Sequence, residues 1–524
     1  MRAIGVPAVA LAALLLPVQG VAAAKEQTRE DRYSVEWGEC TDLGGGSGVQ
    51  CAELEVPLDG EAGDAPGTRA GETATIALSR VPARKRTEGV LLVNPGGPGS
   101  PGRSWASRTA QRLPGDLRDR YDVVGFDPRG TGASTPSVGC DPGYFEPVRP
   151  DTVPASGRDE AALVQRAADY AAACADRNGA LLEHMRTEDT ARDMDRIRLA
   201  LGAEKIDYLG YSYGTLLGGV YATLFPDGAG RMVLDSVVHP GRPWFESNLE
   251  QSRSLDRAAG HFFAWTAEHS AAYGLGTDPA AVEEAYYRVR SELAERPAAG
   301  TVGPTEYENS FITLAYTAAA WPPLARALAD HVSGADPEAL LKVHERFGES
   351  GADDPGYGAY LATECTDAPW PRYWPEWSAA GEKAHADAPF QGWNNIWYNA
   401  PCAFWAAGGG PWTEVDGSAA GDALLVHASE DGATPLDGAF AMRGRFPEGR
   451  LVVEEGGHTH GVALGGNACV DRAVADYLRD GSLPPAAGGD GADLVCEAGP
   501  DPRPEQPGDG GREHQQGPGT LSRS

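Results

Sequence analysis

Positive charge is scarce in this sequence, and no long apolar run follows its first two dozen residues. Forty-four Lys and Arg face 75 Asp and Glu, a net charge of −31. So acidic a surface repels phosphate backbones and anionic headgroups, which argues against nucleic acid and membrane surfaces as partners. Beyond residue 24 no segment approaches the ~20 apolar residues that a membrane-spanning helix needs. C-x-x-C spacings are absent, so a zinc cluster is not expected, and neither is any other metal or cofactor. Nothing repeats at a fixed period, which argues against solenoids and propellers.

What is present begins with "MRAIGVPAVALAALLLPVQGVAAAKEQ". One early Arg, a short apolar run broken by Pro17, and small residues at Ala22 and Ala24 read as a secretory signal peptide cleaved near Ala24, hence an extracellular product. The eight cysteines all follow it. In an exported chain they read as disulfides, and the simplest pairing is between sequence neighbours: Cys40/Cys51, Cys140/Cys174, Cys365/Cys402 and Cys469/Cys496. The Gly- and Pro-rich tail from 498 to 524 is expected to be disordered.

Between these ends, "TATIALSRVPA", "GVLLVNPGG", "YDVVGFD", "KIDYLG", "GRMVLDSVV", "DALLVHAS" and "RLVVEE" read as strands, most of them continuous in apolar character. Helical periodicity separates several of them, so the sheet should be mainly parallel. From about 239 to 411 the pattern turns helical and Trp-rich. The organisation expected is a signal (1–24), a sheet domain in two parts (25–238 and 412–497), a helical insertion (239–411) over the strands' C-terminal edge, and the tail (498–524).

The stretch "YLGYSYGTLLGG" places Ser212 where a buried strand turns sharply into a helix. Thr187 reads as the N-cap of the helix before that strand, with Glu188 and Asp189 in its first turn. Gly210 and Gly214 occupy the glycine positions of G-x-S-x-G, where side chains would clash as the chain reverses. Such a turn lifts the Ser212 hydroxyl into the open. A serine hydroxyl is a weak nucleophile and needs a histidine base, itself oriented by a carboxylate. Asp431 follows a strand in the right chain order, with Glu430 adjacent as the second choice. His458 and His460 both follow the last apolar strand: counting from the strand end favours His458, and counting back from "GNACVD" favours His460. The oxyanion needs two donors: the N–H of Tyr213, just after the serine, and one from the early glycine loop, for which Gly97 is the choice. Glu364 and Asp367 lie among tryptophans in the insertion and are candidates for binding a substrate ammonium.

The segments "VNPGGPGSPG", "YDVVGFDPRGTGAST", "LGYSYGTLLGGVYATLFP", "RMVLDSVVHP", "LLVHASEDGATPLDGA" and "HGVALGGNACVDRAVADYLRDGSLP" together resemble the secreted bacterial tripeptidyl aminopeptidase-like family, relatives of proline iminopeptidases. The resemblance implies an α/β-hydrolase core with a helical cap, and a serine peptidase that removes short pieces from peptides with free N-termini. It implies Ser212 as nucleophile, Asp431 as orienter and His460 as base, with "THGVALGGNACVD" favouring His460 over His458. The early loop reads "NPGGPG" where proline iminopeptidases carry "HGGPG", which weakens any transfer of their proline preference. Two other functions compete: an esterase or other acyl hydrolase on the same fold, and a catalytically inactive binding protein.

Overall fold

The computed structural model describes Met1 and residues 33–43, 48–59, 72–489 and 491–505. Apart from Met1, the expected signal peptide lies outside the described residues.

Ten strands form one sheet: β1 (Gly38–Glu39), β2 (Gln50–Pro57), β3 (Thr73–Val81), β4 (Gly89–Asn94), β5 (Tyr121–Phe126), β6 (Ile206–Tyr211), β7 (Ala229–Asp235), β8 (Ala423–Ala428), β9 (Arg450–Glu455) and β10 (Leu494–Glu497). Their order is β1-β2-β3-β5-β4-β6-β7-β8-β9-β10. The β1, β2, β3 and β5 pairings are antiparallel, and all from β5 through β10 are parallel. The two regimes differ in sequence for a physical reason. In β2 the antiparallel edge alternates, with Ala52, Leu54 and Val56 buried and Glu53 and Glu55 exposed. In β4 and β8 every central residue is buried, because helices cover both faces of a parallel sheet. Successive residues feed two cores: Leu92, Val124, Tyr208 and Leu234 enter one, Leu91, Val123, Leu209 and Val233 the other.

The helix Thr187–Ala200 leads into β6, and its cap differs from the sequence expectation. Arg186 is the N-cap and Thr187 the first helical residue; Asp189 accepts the Arg186 N–H at 3.2 Å. Thr187 is occupied elsewhere, as described below.

Between β7 and β8 the described chain is helical. The helix Trp244–Glu268 runs from one core to another: Trp244 packs into the sheet-face core, whereas Leu255 and Phe262 belong to a separate cluster with Phe311, Trp321 and Leu324. Trp370, Trp377, Trp393 and Trp397, from the later part of the same segment, pack into the sheet-face core. The inserted stretch therefore has an outer lobe with its own core and an inner part fused to the sheet.

Four disulfides join the cysteines in the near-neighbour pairs: Cys40–Cys51, Cys140–Cys174, Cys365–Cys402 and Cys469–Cys496. Among the described residues no helix is long and apolar enough to cross a membrane. The expectation of a disordered tail from 498 fails for residues 498–505. The Ala498 N–H donates to the Glu455 carbonyl at 2.9 Å, the Trp265 indole N–H donates to the Pro502 carbonyl at 3.1 Å, and the Glu505 N–H donates to the Tyr273 hydroxyl at 3.3 Å. These partners are on the outer lobe and on β9, which composition alone does not reveal. Residues 506–524 lie outside the described residues.

Cys365–Cys402 joins the helix Asp354–Asp367 to the turn Ala400–Phe404 beneath the cleft. Replacing both by serine should lower unfolding stability by about 2–4 kcal/mol in urea titration. Non-reducing peptide mapping of the wild type should return the four near-neighbour pairs and no long-range one.

Candidate active site

Ser212 sits at the C-terminal end of β6, in mid-sheet between β4 and β7. It is the N-cap of the helix Tyr213–Leu224, with φ 57° and ψ −127°, a left-handed conformation that a side-chain-bearing residue adopts only when its surroundings enforce it. The enforcement is visible. The Ser212 N–H donates to the Asp235 carbonyl at 2.9 Å. A Cβ on Gly210 would fall 2.5 Å from the Gly214 carbonyl oxygen. One on Gly96 would fall 2.4 Å from the Tyr211 oxygen and 2.9 Å from the Ser212 Cβ.

The early glycine loop thus lies against the elbow. Gly96 spends its N–H on the Asn94 side chain at 2.9 Å, while Gly97 lines the cleft together with Ser212 and Tyr213. Tyr213 opens the helix, where first-turn N–H groups have no intrahelical acceptor. Gly97 and Tyr213 flank the serine from two elements, as an oxyanion site requires.

His460 closes the constellation. Its Nδ1 lies 2.8 Å from Asp431 Oδ2 and 3.0 Å from Oδ1. Asp431 also accepts the N–H groups of Ala433 and Thr434 at 2.9 and 3.0 Å and the Thr434 hydroxyl at 3.0 Å. Burial opposes charge on Asp431, but the adjacent His460 and its hydrogen bond outweigh it and hold this carboxyl well below the usual carboxylate range. His460 is buried, and its Nε2 makes no hydrogen bond within the protein. The ring lines the same cleft as Ser212. With Asp431 at Nδ1, Nε2 is the nitrogen left to exchange a proton with a serine hydroxyl.

The alternatives lie elsewhere. His458 packs against Trp321 and His261, with ring centroids 5.1 and 4.7 Å away, and Glu430 faces His261 Nε2 at 3.2 Å. Two residues along an irregular loop are enough to turn one histidine into the cleft and the other into the seam with the outer lobe.

Glu364 and Asp367 also separate. Glu364 lines the cleft and is 2% exposed. It accepts a hydrogen bond from Asn248 at 3.1 Å. Burial pushes its carboxyl up to about 8 against the opposing pull of Tyr360 and Asn248. Asp367, one helical turn on, is not among the residues lining the cleft. Its oxygens accept the Thr187 N–H at 2.7 Å, the Thr187 hydroxyl at 2.6 Å and the Trp244 indole N–H at 3.2 Å. The Thr187 hydroxyl lies 2.8 Å from the Tyr213 hydroxyl. Asp367 therefore ties the inserted helices to the elbow, and the expectation that it binds substrate is corrected to an anchoring position.

Two residues escaped the sequence reading. Asp235 and Ser236, where β7 ends, touch the loop that carries His460: Asp235 Oδ2 accepts the Ala463 N–H at 2.6 Å, and the Ser236 hydroxyl accepts the Gly461 N–H at 2.7 Å. The Asp235 carboxyl is pushed up to about 7 by burial, opposed by the Ala463 N–H and by His460. In "RMVLDSVVHP" they read only as a strand end, and no local pattern marks their long-range partners.

The site is therefore that of a serine hydrolase built on an α/β sheet. Comparison with known proteins agrees. Residues 89–308 match the family described as alpha/beta hydrolase fold, and residues 388–496 match the one described as TAP-like protein. The tripeptidyl aminopeptidase of Streptomyces coelicolor is 37% identical over 497 residues, 92% of this chain and 89% of that protein. Serine protease Hip1 of Mycobacterium tuberculosis is 31% identical over 510 residues, 91% of this chain and 96% of that one. Carboxylesterase B of the same species is 32% identical over 461 residues, 84% and 86% of the two chains. The chain belongs to the tripeptidyl aminopeptidase-like family of α/β-hydrolases.

Ser236→Ala should remove the acceptor of the half-buried Gly461 N–H, at a cost of about 1 kcal/mol, and loosen the His460 loop. The expected outcome is a fall in kcat of roughly tenfold or more, with KM nearly unchanged. Asp235→Asn keeps an acceptor for Ala463 but removes a charge that appears as pH rises through about 7. That negative charge favours the imidazolium formed in the transition state, so the part of the rise in kcat centred there should be missing in this variant's pH–rate profile.

Proposed function

We propose that the protein is a serine exopeptidase that releases short peptides, tripeptides foremost, from free N-termini. In this reading Ser212 Oγ gives its proton to His460 Nε2 and attacks the scissile carbonyl. The oxyanion is held by the N–H groups of Gly97 and Tyr213. Asp431 keeps the His460 tautomer and stabilises the imidazolium. His460 then protonates the departing amine, and water hydrolyses the acyl-enzyme by the same route in reverse. Glu364 receives the substrate's α-ammonium, as a buried ammonium requires an anionic partner.

One observation carries the peptidase reading over the esterase one: a buried carboxyl group, that of Glu364, shares the cleft with Ser212 and His460 and can ionise against a substrate ammonium. An ester substrate without an amine has no use for it. The relative named carboxylesterase B keeps the esterase reading as the alternative, and the names of the aminopeptidase and protease relatives support the first. Four disulfides support export to an oxidising compartment.

Ser212→Ala should abolish turnover of tripeptidyl anilides and covalent labelling by a fluorophosphonate, with folding retained. Substantial residual turnover would refute Ser212 as nucleophile. N-acetylation of the substrate should block cleavage, and equal rates on blocked and free peptides would favour the esterase reading.

The Glu364 assignment also fixes a pH dependence. The free enzyme holds Glu364 protonated until about pH 8, and a peptide α-ammonium deprotonates near ~7.7–8.0. The ion pair carries one proton in all, whereas the free partners carry two below this range and none above it. Thus 1/KM should peak near pH 8 and fall on both sides. Glu364→Gln should raise KM and leave no acid limb.

A further inference from the structure

The cleft also carries positive charge, which is unexpected in a chain of net charge −31. His239 and Arg242 line it beside Ser212 and His460. They stand on the turn after β7, and this turn is fixed relative to the nucleophile: the Val238 N–H donates to the Thr215 hydroxyl at 3.0 Å, which donates to the Ser212 carbonyl at 2.7 Å. Arg445 lies close to the turn, its Nη2 3.4 Å from where a Cβ on Gly241 would be. Burial, then Arg242, holds the His239 imidazole below its ordinary range, opposed by Asp437, so the positive charge on this wall is that of Arg242.

From this geometry we infer that Arg242 binds a carboxylate on the leaving portion of the substrate: the α-carboxylate of a short peptide, or an Asp or Glu side chain just past the scissile bond. The inference rests on the peptidase reading and adds a second determinant to it. Arg242 lines the cleft together with Thr434, Pro435 and His460. It pairs at 2.7 Å with Asp437, three residues beyond Thr434, whose hydroxyl lies 3.4 Å from His460 Nδ1. The leaving amine takes its proton from His460, so the portion that departs passes this wall. Glu364 belongs to a different wall, on the helix Asp354–Asp367, which meets the early glycine loop where a Cβ on Gly99 would lie 2.8 Å from the Tyr360 nitrogen.

The pairing with Asp437 does not consume the guanidinium. The Asp437 side chain is 54% exposed against 25% for Arg242, and water screens an ion pair with so exposed a partner, which leaves it weak. Arg445 has a similarly loose partner in Glu414, at 3.3 Å and 71% exposed. When a ligand carboxylate arrives, Asp437 returns to water at little cost, while Arg242 gains a charge-assisted and geometrically specific partner.

The test is steady-state kinetics on tetra-, penta- and hexa-alanine, each as free acid and as C-terminal amide, with a second set of amides carrying Glu or Gln immediately after the scissile bond. A several-fold lower KM for the acid in one or both sets supports the inference, and the responding set identifies which carboxylate is read. In Arg242→Gln the acid-to-amide ratio should collapse to about one, and Arg242→Lys should keep part of it, because the charge remains but the fork is lost. The wild-type ratios need no variant to fold. Ratios of one in both sets overturn the inference while leaving the peptidase intact, as does a preference that survives in a folded Arg242→Gln. Failure of the wild type to cleave any of these peptides overturns the peptidase reading itself.

Discussion

The cleft depends on one backbone hydrogen bond, from the Ser212 N–H to the Asp235 carbonyl. It fixes the strained elbow to the neighbouring strand. The residue that provides the carbonyl, together with Ser236, then reaches across to the loop bearing His460. β7 contributes none of Ser212, Asp431 and His460, yet it lies between β6, which leads to Ser212, and β8, which leads to Asp431. His460 comes from beyond β9, farther still along the sheet. A base delivered by an irregular loop from that distance needs fixed acceptors, and the end of β7 provides them.

Burial does much of the electrostatic work here. Three carboxyls are pushed upward chiefly because they lie in the interior: Asp235 to about 7, Glu364 to about 8 and Asp367 to about 6. Asp431 is just as deep and moves the other way, because it faces an imidazole and a set of N–H donors. The same chemical group is thus tuned in opposite directions, one carboxyl held charged beside His460 and the others changing charge near neutrality.

Much of this was legible before any coordinates, and the reasons can be given residue by residue. The strands of the parallel sheet announce themselves because burial on both faces makes them continuously apolar. Ser212 is visible because a tight elbow demands glycines two residues before and two after it, a constraint local in sequence. Asp431 follows from chain order. His460 was chosen over His458 by resemblance, since loop residues two apart differ in direction and not in any pattern. The distinction between Glu364 and Asp367 could not be read: both sit on one helix face among tryptophans, and only Thr187 and Trp244, distant in sequence, show which of them is already engaged. β1, β2 and β10 were missed for a related reason. Two are short, and β2 alternates without a strong apolar run, so pairing rather than propensity makes them strands. The tail to Glu505 is held by contacts to Trp265 and Tyr273 that low-complexity composition conceals.

The helix Trp244–Glu268 has one end in the sheet-face core and the other in the outer lobe. At ~1.5 Å per residue it is a rod whose foot lines the cleft with Ser212 and whose head lies in the outer lobe. Asn248 and Gln251, near the foot, line the cleft. The head is also strapped, since Trp265 holds the chain that leaves β10. A rod clamped at both ends has no free hinge. The cleft wall at Asn248 and Gln251 and the core of the outer lobe at Leu255 and Phe262 therefore belong to one continuous helix.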